Sequence, residues 1–476
     1  MSQVDYIAPK EDHLMPRQLE EEDVNHFKSI VGESGVLTTD IEGYNTDWLG
    51  KYKGQSQLVL RPKNTQQISD ILKHCNQRKL AVVPQAGNTG LVGGSVPVFD
   101  EIVLSTNLMN QIKSFDDVSG TLVCQSGCIL EQLNEKVMEH GYIMPLDLAA
   151  KGSCQIGGNL ATSAGGIRYL RYKSLHANVL GMEFVLPDGT IVDTLKSIRK
   201  DNTGYHLPHL MIGSEGTLGI ITAVSMSVPS KPKSVNVVYL AVDSFEKIQL
   251  IYRAAKLHLG EILSAFEFFD AKCRDLVVKH GANDPLDQPY SFYLVIETHG
   301  SEGSHDQDKL SKFFEHVLEE QHATDGTMST DETQAKALWR MRESISECLR
   351  REGGTRLYKY DVSMPLPIMY KLVSDTKERL GSEAQVFGFG HLGDDNLHLN
   401  IIIPENQLEM VDLIEPFVYE WTQQHNGSIS AEHGVGMMKR DYLKFSQTEQ
   451  SIQMMRLIKK AIDPNNIMNP YKMFTV

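Results

Sequence analysis

Apolar positions along this chain switch between two periods. The short β-rich runs Leu58-Val59-Leu60 and Leu80-Ala81-Val82-Val83 flank Thr65 to Arg78, where apolar residues recur every three to four positions, so strand, helix and strand are predicted in turn. The alternation continues, punctuated by glycine, from about Gln55 to Pro229, and reads as α/β. At Ser230-Lys231-Pro232-Lys233-Ser234 a polar connector intervenes and a second domain is expected to begin. It is predicted to carry strands at Val235 to Val242, Tyr290 to Glu297 and Arg356 to Val362, with helices at Ser244 to Leu257, Asp306 to His322 and Thr333 to Glu352. From Leu408 the pattern gives one amphipathic helix to Gln424, a loop around Glu432-His433, and a helix from Glu449 to Ile462. The ending Asp463-Pro464-Asn465-Asn466-Ile467-Met468-Asn469-Pro470 has the turn chemistry of a docked tail. The charged runs Glu20 to Asp23 and Glu302 to Lys309 read as solvated surface.

Glycine marks the first α/β part. Pro84-Gln85-Ala86-Gly87-Asn88-Thr89-Gly90-Leu91-Val92-Gly93-Gly94-Ser95 follows a predicted strand directly, and such a loop curls its backbone N–H groups around a phosphate. Its spacing is not G-x-G-x-x-G and no Gly-Lys-Ser/Thr follows, so neither a nicotinamide-binding unit nor a P-loop is indicated. A second segment pairs Gly157-Gly158 with Thr162 and Gly165-Gly166. Further loops hold Thr203-Gly204 and then Gly213-Ser214-Glu215-Gly216-Thr217-Leu218-Gly219-Ile220. One such loop is explained by turn-making; four in one domain point to a large, elongated cofactor held mainly by main chain.

A different chemistry lies further on. Val386 to Gly390 and Leu397 to Ile403 are strand-like and enclose the turn-forming Gly393-Asp394-Asp395-Asn396, which predicts a β-hairpin with His391 facing His398 across the ladder. His398 and Asn400 share a face. With Glu432 downstream, two imidazoles and a carboxylate make the ligand set of a catalytic Zn2+, or another divalent metal, that keeps one position open. The competing reading pairs the histidines with Asp394 or Asp395.

Bulk properties narrow the rest. The chain has 476 residues, 41% hydrophobic and 22% charged, and no apolar run long enough to span a bilayer. A formal net charge of −15 argues against nucleic acid as partner. Cys75, Cys124, Cys128, Cys154, Cys273 and Cys348 lack a framework spacing, so free buried thiols in a reducing compartment are expected. The first 25 or so residues mix Lys10 and Arg17 with Glu11, Asp12 and Glu20 to Asp23, an acidity that does not fit an import presequence.

The loop PQAGNTGLVGGS, the segment GGNLATSAGG and the segment IGSEGTLGIIT together resemble the FAD-binding domain of the vanillyl-alcohol oxidase (p-cresol methylhydroxylase) superfamily. Added to these, GHLGDDNLHLN, SAEHGVG and DPNNIMNPYK resemble its D-lactate/D-2-hydroxyglutarate dehydrogenase branch, and VPVFDEIVLST, PLDLAAKGSC, RKDNTGY, GEILSAFEFFDA, LYKYDVSMP and EPFVYEWT are similar to the same branch. The resemblance covers nearly everything after about residue 40. It implies an α+β protein: an N-terminal segment (1–50), a two-part FAD-binding domain (51–232), an antiparallel-sheet substrate domain (233–410) and a helical C-terminal segment (411–476) that completes the active site. Two departures stand out. Ala86 replaces a usual glycine, and Asp395 stands where the turn is usually Gly-Asp-Gly-Asn, at a cost of ~1 kcal/mol if φ there is positive.

What the resemblance implies about function follows residue by residue. FAD would be bound by the loops above, including Pro84 to Gly90, Gly93, Ser95 and Asn469, and non-covalently, since Gln85 and Asn88 offer no His or Cys anchor. Arg342, Ser346 and Lys359 match positions that hold substrate carboxylate, with Ser346 in place of the more usual threonine; an ion pair of Lys359 with Asp361 is the competing reading. His391, His398 and Glu432 would hold the metal. Asn400 would contact a substrate oxygen, and His433 would take the hydroxyl proton as general base. The implied reaction oxidises D-2-hydroxyglutarate to 2-oxoglutarate, with D-lactate or a broader set of D-2-hydroxy acids as the alternative and a non-catalytic flavin- or metal-binding role as a remote one. The implied acceptor is electron-transfer flavoprotein, the implied location the mitochondrial matrix (otherwise cytoplasm), and a homodimer is consistent with it.

Overall fold

The computed structural model describes residues 18–353 and 355–475, so most of the acidic N-terminal stretch read against a presequence lies outside the described residues. The chain divides into two compact units: the first holds residues up to Gly165, Ser174–Ser230 and Glu432 onwards, and the second holds Gly166–Lys173 and Lys231–Ala431.

The first unit contains two sheets. In one, β1 (Val36–Leu37), β2 (Val59–Leu60), β3 (Val82–Gln85) and β4 (Ile102–Ser105) run in the order β1-β2-β4-β3, with β2, β4 and β3 parallel. The helix Thr65–Arg78 joins β2 to β3 within the predicted bounds, because Asn64 caps its Gln67 amide and Ile68, Ile71, Leu72 and Cys75 form one buried stripe against Val82 and Leu104. The other sheet, β5 (Ile112–Asp116), β6 (Thr121–Gln125), β7 (Val179–Val185), β8 (Ile191–Asp193) and β9 (Ile220–Ser227), is antiparallel in the order β5-β6-β9-β7-β8. The α/β alternation read from the sequence therefore describes only the smaller of the two sheets. Short apolar runs bounded by glycine do not reveal strand direction.

The second unit is built on one antiparallel sheet: β10 (Ser234–Val242), β11 (Leu263–Asp270), β12 (Phe292–Gly300), β13 (Asp325–Met328), β14 (Thr355–Ser363), β15 (Gln385–His391) and β16 (Asn396–Pro404), ordered β13-β10-β12-β11-β15-β16-β14. One face carries Tyr239, Phe269, Tyr293, Phe387 and Phe389 against Leu338, Trp339, Met341 and Ile345. On the other, Tyr252 of the helix Phe245–His258 meets Phe266 edge-on, with ring centroids 5.0 Å apart.

Three sequence expectations are corrected. The helix expected over Thr333 to Glu352 is two helices, Glu332–Glu343 and Ile345–Arg351, meeting at Ser344. The helix expected from Leu408 to Gln424 is broken into Val411–Ile414 and Phe417–Gln424, because Pro416 lacks the N–H that a continuous helix needs. Each charged run expected to be solvated holds one buried acid. Asp23 accepts from Arg78 and His74, and although burial opposes it, these bonds bring its pKa down to about 2. Asp306 accepts from the Glu302 amide. All six cysteines are buried free thiols.

Candidate functional site

In the first unit the glycine loops converge on one cavity. Sixteen of the residues read as cofactor-binding line it: Pro84, Gln85, Ala86, Gly87, Asn88, Thr89, Gly90 and Ser95 from the first loop, Gly157, Gly158, Thr162 and Gly165 from the second, and Glu215, Gly216, Gly219 and Ile220 from the last. Four predicted residues do not line it. Gly93, at φ +69°, lies against the Tyr52 ring; Gly213 lies behind the wall near Ser163; Gly166 belongs to the second unit. Asn469 acts as a prop, its Nδ2 donating to the carbonyls of Gly94 (3.1 Å) and Glu215 (2.7 Å).

The fit to an anionic cofactor lies in the main chain. Among the described residues, the amides of Gly87, Asn88, Thr89 and Gly90 donate to no protein group, and Asn88 sits at φ +50°. Consecutive unspent N–H groups of this kind make an anion nest. At Gly90 a Cβ would meet nothing within 4 Å, whereas at Gly87 it would lie 2.2 Å from the Ser153 carbonyl. One glycine thus faces open cavity and the other packs backbone on backbone. Around the nest the side chains are spent on architecture. Gln85 Nε2 donates to the carbonyls of Tyr44 and Ser95, and Lys472 Nζ donates to those of Gly94 and Val96. Burial pushes Lys472 down to about 8, against the pull of Glu101 and Glu215. Glu215 accepts from the Val435 and Gly436 amides, both at 2.7 Å, and burial raises its pKa despite them. That pair of bonds fixes the loop carrying Glu432 and His433, which also line the cavity. Glu432 Oε1 lies 3.8 Å from His433 Nε2, and Oε2 lies 2.7 Å from where a Cβ on Gly165 would stand.

The second unit offers side chains instead. The β-hairpin is present, and register places its polar residues in columns on one sheet face: Glu267 opposite His391 opposite Asn396, then Phe389 opposite His398 opposite Asp361, then Phe387 opposite Asn400 opposite Lys359. His391 Nε2 and His398 Nε2 lie 3.2 Å apart. Two nitrogens each about 2.0–2.1 Å from one tetrahedral zinc would be about 3.3 Å apart, so the pair fits a shared metal. His391 Nδ1 bonds Glu267 Oε1 at 2.8 Å, which leaves Nε2 as the ring's lone-pair nitrogen. His398 Nδ1 is 3.9 Å from Asp361 Oδ1. Asp395 is not one of the partners expected on the competing reading. Asp395 sits at the end of the turn with φ +63°, and its charge acts on Tyr252 and Lys256, on the opposite face.

Beside the imidazoles lie polar groups without hydrogen-bond partners. Arg342, 6% exposed, stacks its guanidinium over Phe389 at 4.7 Å and brings Nη2 to 3.0 Å from Glu267 Oε2. That contact is close but off-line, and Nε and Nη2 make no hydrogen bond. The buried Oδ1 of Asn400 likewise has none. Lys359 has no ion pair with Asp361, which instead accepts from Asn396 Nδ2 at 2.9 Å. Burial, with Arg350 nearby, lowers Lys359 to about 8. Ser346 is the predicted residue not brought here in the same way: the break at Ser344 leaves it exposed while Arg342 is buried. Glu267 went unnoticed in the sequence, where it is one acid in an aromatic strand; only its register with His391 reveals it.

Two family models match this chain. Residues 56–195 match the family model "FAD binding domain" and residues 231–473 match "FAD linked oxidases, C-terminal domain". A D-2-hydroxyglutarate dehydrogenase of Bos taurus, named mitochondrial, is 53% identical over 95% of this chain and 83% of its own length. A putative D-lactate dehydrogenase of Schizosaccharomyces pombe, also named mitochondrial, is 50% identical over 96% and 90%. Among solved structures, p-cresol methylhydroxylase with substrate bound matches 97% of this chain and 99% of its own with a TM-score of 0.75 at 15% identity, which bears out the expected fold.

Proposed function

Because the chain belongs to the FAD-linked oxidases, in the D-lactate/D-2-hydroxyglutarate dehydrogenase branch, and is an FAD-dependent dehydrogenase acting on a CH–OH group, we propose that its substrate is D-2-hydroxyglutarate. The observation that carries this reading is the set of polar groups without hydrogen-bond partners on one sheet face: Arg342 Nε and Nη2, Asn400 Oδ1, and a Lys359 with no acceptor among the described residues. A buried guanidinium whose Nε and Nη2 make no hydrogen bond and a half-buried ammonium with no acceptor are costly, and a dianion relieves both. FAD, when bound, would supply the two-electron acceptor, and a divalent metal, which His391, His398 and Glu432 would hold, would supply the charge that makes a hydroxyl more acidic.

The protein's own groups do the rest. Arg342 grips one carboxylate with its rigid fork and Lys359 holds the other as a point charge. Asn400 orients a substrate oxygen. The hydroxyl proton passes to a ring nitrogen of His433, and the Glu432 carboxylate beside Nε2 steadies the cation that results. The glycine loops exclude water from the cofactor while presenting main-chain donors to its phosphates. We further propose that electrons pass on to electron-transfer flavoprotein, and that the protein works in the mitochondrion, as the names of its relatives indicate.

A second reading, D-lactate as substrate, is favoured by the name of the Schizosaccharomyces pombe relative. The test is an anaerobic visible spectrum of the purified protein with D- and L-2-hydroxy acids, before and after chelation. Rapid bleaching by D-2-hydroxyglutarate that chelator abolishes is expected. Lys359→Met should then harm the dicarboxylate far more than D-lactate; equal loss for both removes the preference for hydroxyglutarate, and bleaching indifferent to chelator removes the metal.

A further inference from the structure

Glu267 is 1% exposed, and its two carboxylate oxygens face two different functional groups. Oε1 bonds His391 Nδ1 at 2.8 Å, and Oε2 lies 3.0 Å from Arg342 Nη2. Its placement is set by the sheet, since β11 and β15 pair Glu267 directly with His391. Arg342 comes from the helix Glu332–Glu343 that packs on this face, and is held from a second side by the Phe389 ring. We propose that Glu267 is a positioning residue that registers the metal-holding imidazole against the carboxylate-binding guanidinium. The proposal rests on the roles given to His391 and Arg342 above.

The physical case has two parts. A carboxylate accepting from Nδ1 fixes the ring's orientation and tautomer and makes Nε2 the lone-pair nitrogen, and removing such a partner typically weakens metal binding on the order of 10–100-fold. The same carboxylate partly neutralises Arg342 without taking up its hydrogen bonds, because Nε and Nη2 remain unbonded. The guanidinium is thus held in place while its donors stay available for an anion. A carboxylate that merely filled the core would need neither contact.

The test uses the flavin-loaded enzyme with Glu267→Gln, which keeps shape and one oxygen but loses the charge. Zn2+ binding is measured on metal-stripped protein by competition with a chromophoric chelator, and KM and kcat for D-2-hydroxyglutarate are measured at saturating Zn2+. The expected result is Zn2+ affinity lowered 10–100-fold together with a raised KM that saturating Zn2+ does not restore. Zn2+ affinity and KM both within twofold of the parent would overturn the proposal, as would a change in only one of them. His391→Ala is run alongside: if it binds Zn2+ as tightly as the parent, the metal reading itself is wrong, whereas its failure with Glu267→Gln unaffected sinks only the role of Glu267. Should Glu267→Gln not fold, Glu267→Asp, with charge kept and reach shortened, is judged by the same two readouts.

Discussion

Two lysines, one in each unit, are brought down by burial to about 8, and they mean different things. Lys472 spends its ammonium on the carbonyls of Gly94 and Val96, with Glu101 and Glu215 as counter-charges. Lys359 has neither acceptor nor acid among the described residues. The contrast runs through both sites. In the cofactor cavity, side chains are consumed in shaping main chain and the binding donors are amides. On the substrate face the main chain is consumed in the sheet and the binding donors are side chains. A charged group whose partners are internal builds the protein, and one held without them is available to a ligand. The first site should therefore be sensitive to an added Cβ and the second to altered charge.

The sharpest break is Gly87→Ala. Its Cβ would stand 2.2 Å from a main-chain carbonyl and 2.9 Å from the Cys154 Cα, neither of which can rotate away. Purified protein should be colourless by visible absorbance and inactive, while Gly90→Ala, with nothing within 4 Å, should keep its flavin. On the substrate face, Arg342→Met should leave flavin content unchanged and lower kcat/KM by roughly 100- to 1000-fold, in line with the 2–5 kcal/mol typical of truncating a buried charge partner. The third test is pH. Lys359 must be protonated to bind an anion, so KM for the dicarboxylate should rise above about pH 8 while KM for D-lactate stays flatter. Stability moves the other way. Below about pH 8 both folded and unfolded chains hold the proton and the burial cost is present in full; between there and the ordinary lysine pKa of 10.5 only the unfolded chain holds it, and linkage then predicts more protons on the unfolded state and greater stability as pH rises. Lys472 adds to the same trend. Affinity for the dicarboxylate and resistance to denaturant falling together would refute this assignment. The smallest effect is Asp395→Gly, which relieves a φ of +63° and should shift the denaturation midpoint by no more than about 1 kcal/mol, without changing KM, since Asp395 acts on the far face.

Much of this was legible in the sequence where local chemistry decides structure. The helix Glu449–Ile462 begins and ends as predicted because Thr448 caps it and Asp463-Pro464 closes it. The glycine loops were legible because turns and close approaches demand glycine. Register was not. Nothing local says that Glu267 pairs with His391, 124 positions away, or that Lys359 faces Asn400 without finding an acid. The break at Ser344 also escaped, since its neighbours are good helix formers on both sides. Charged runs misled for a related reason: Asp23 is buried only because Arg78 and His74 arrive from a distant helix.

The docked tail carries a consequence for how the enzyme is made. The Val82 amide bonds the Ile467 carbonyl and the Asn469 amide bonds the Val82 carbonyl, so the last residues cover the open edge of β3, while Asn469 and Lys472 hold the loops at Gly94 and Glu215. The glycine loops are synthesised early, but Asn469 and Lys472, which brace them, emerge more than 240 residues after the last of those loops. A chain lacking residues 463–475 has every cavity-lining residue of the first, second and last glycine loops but lacks the braces at Gly94, Val96 and Glu215 that Asn469 and Lys472 supply. Flavin capture should therefore wait for residues 463–475, so that chains truncated before Asp463 stay colourless while full-length ones are yellow.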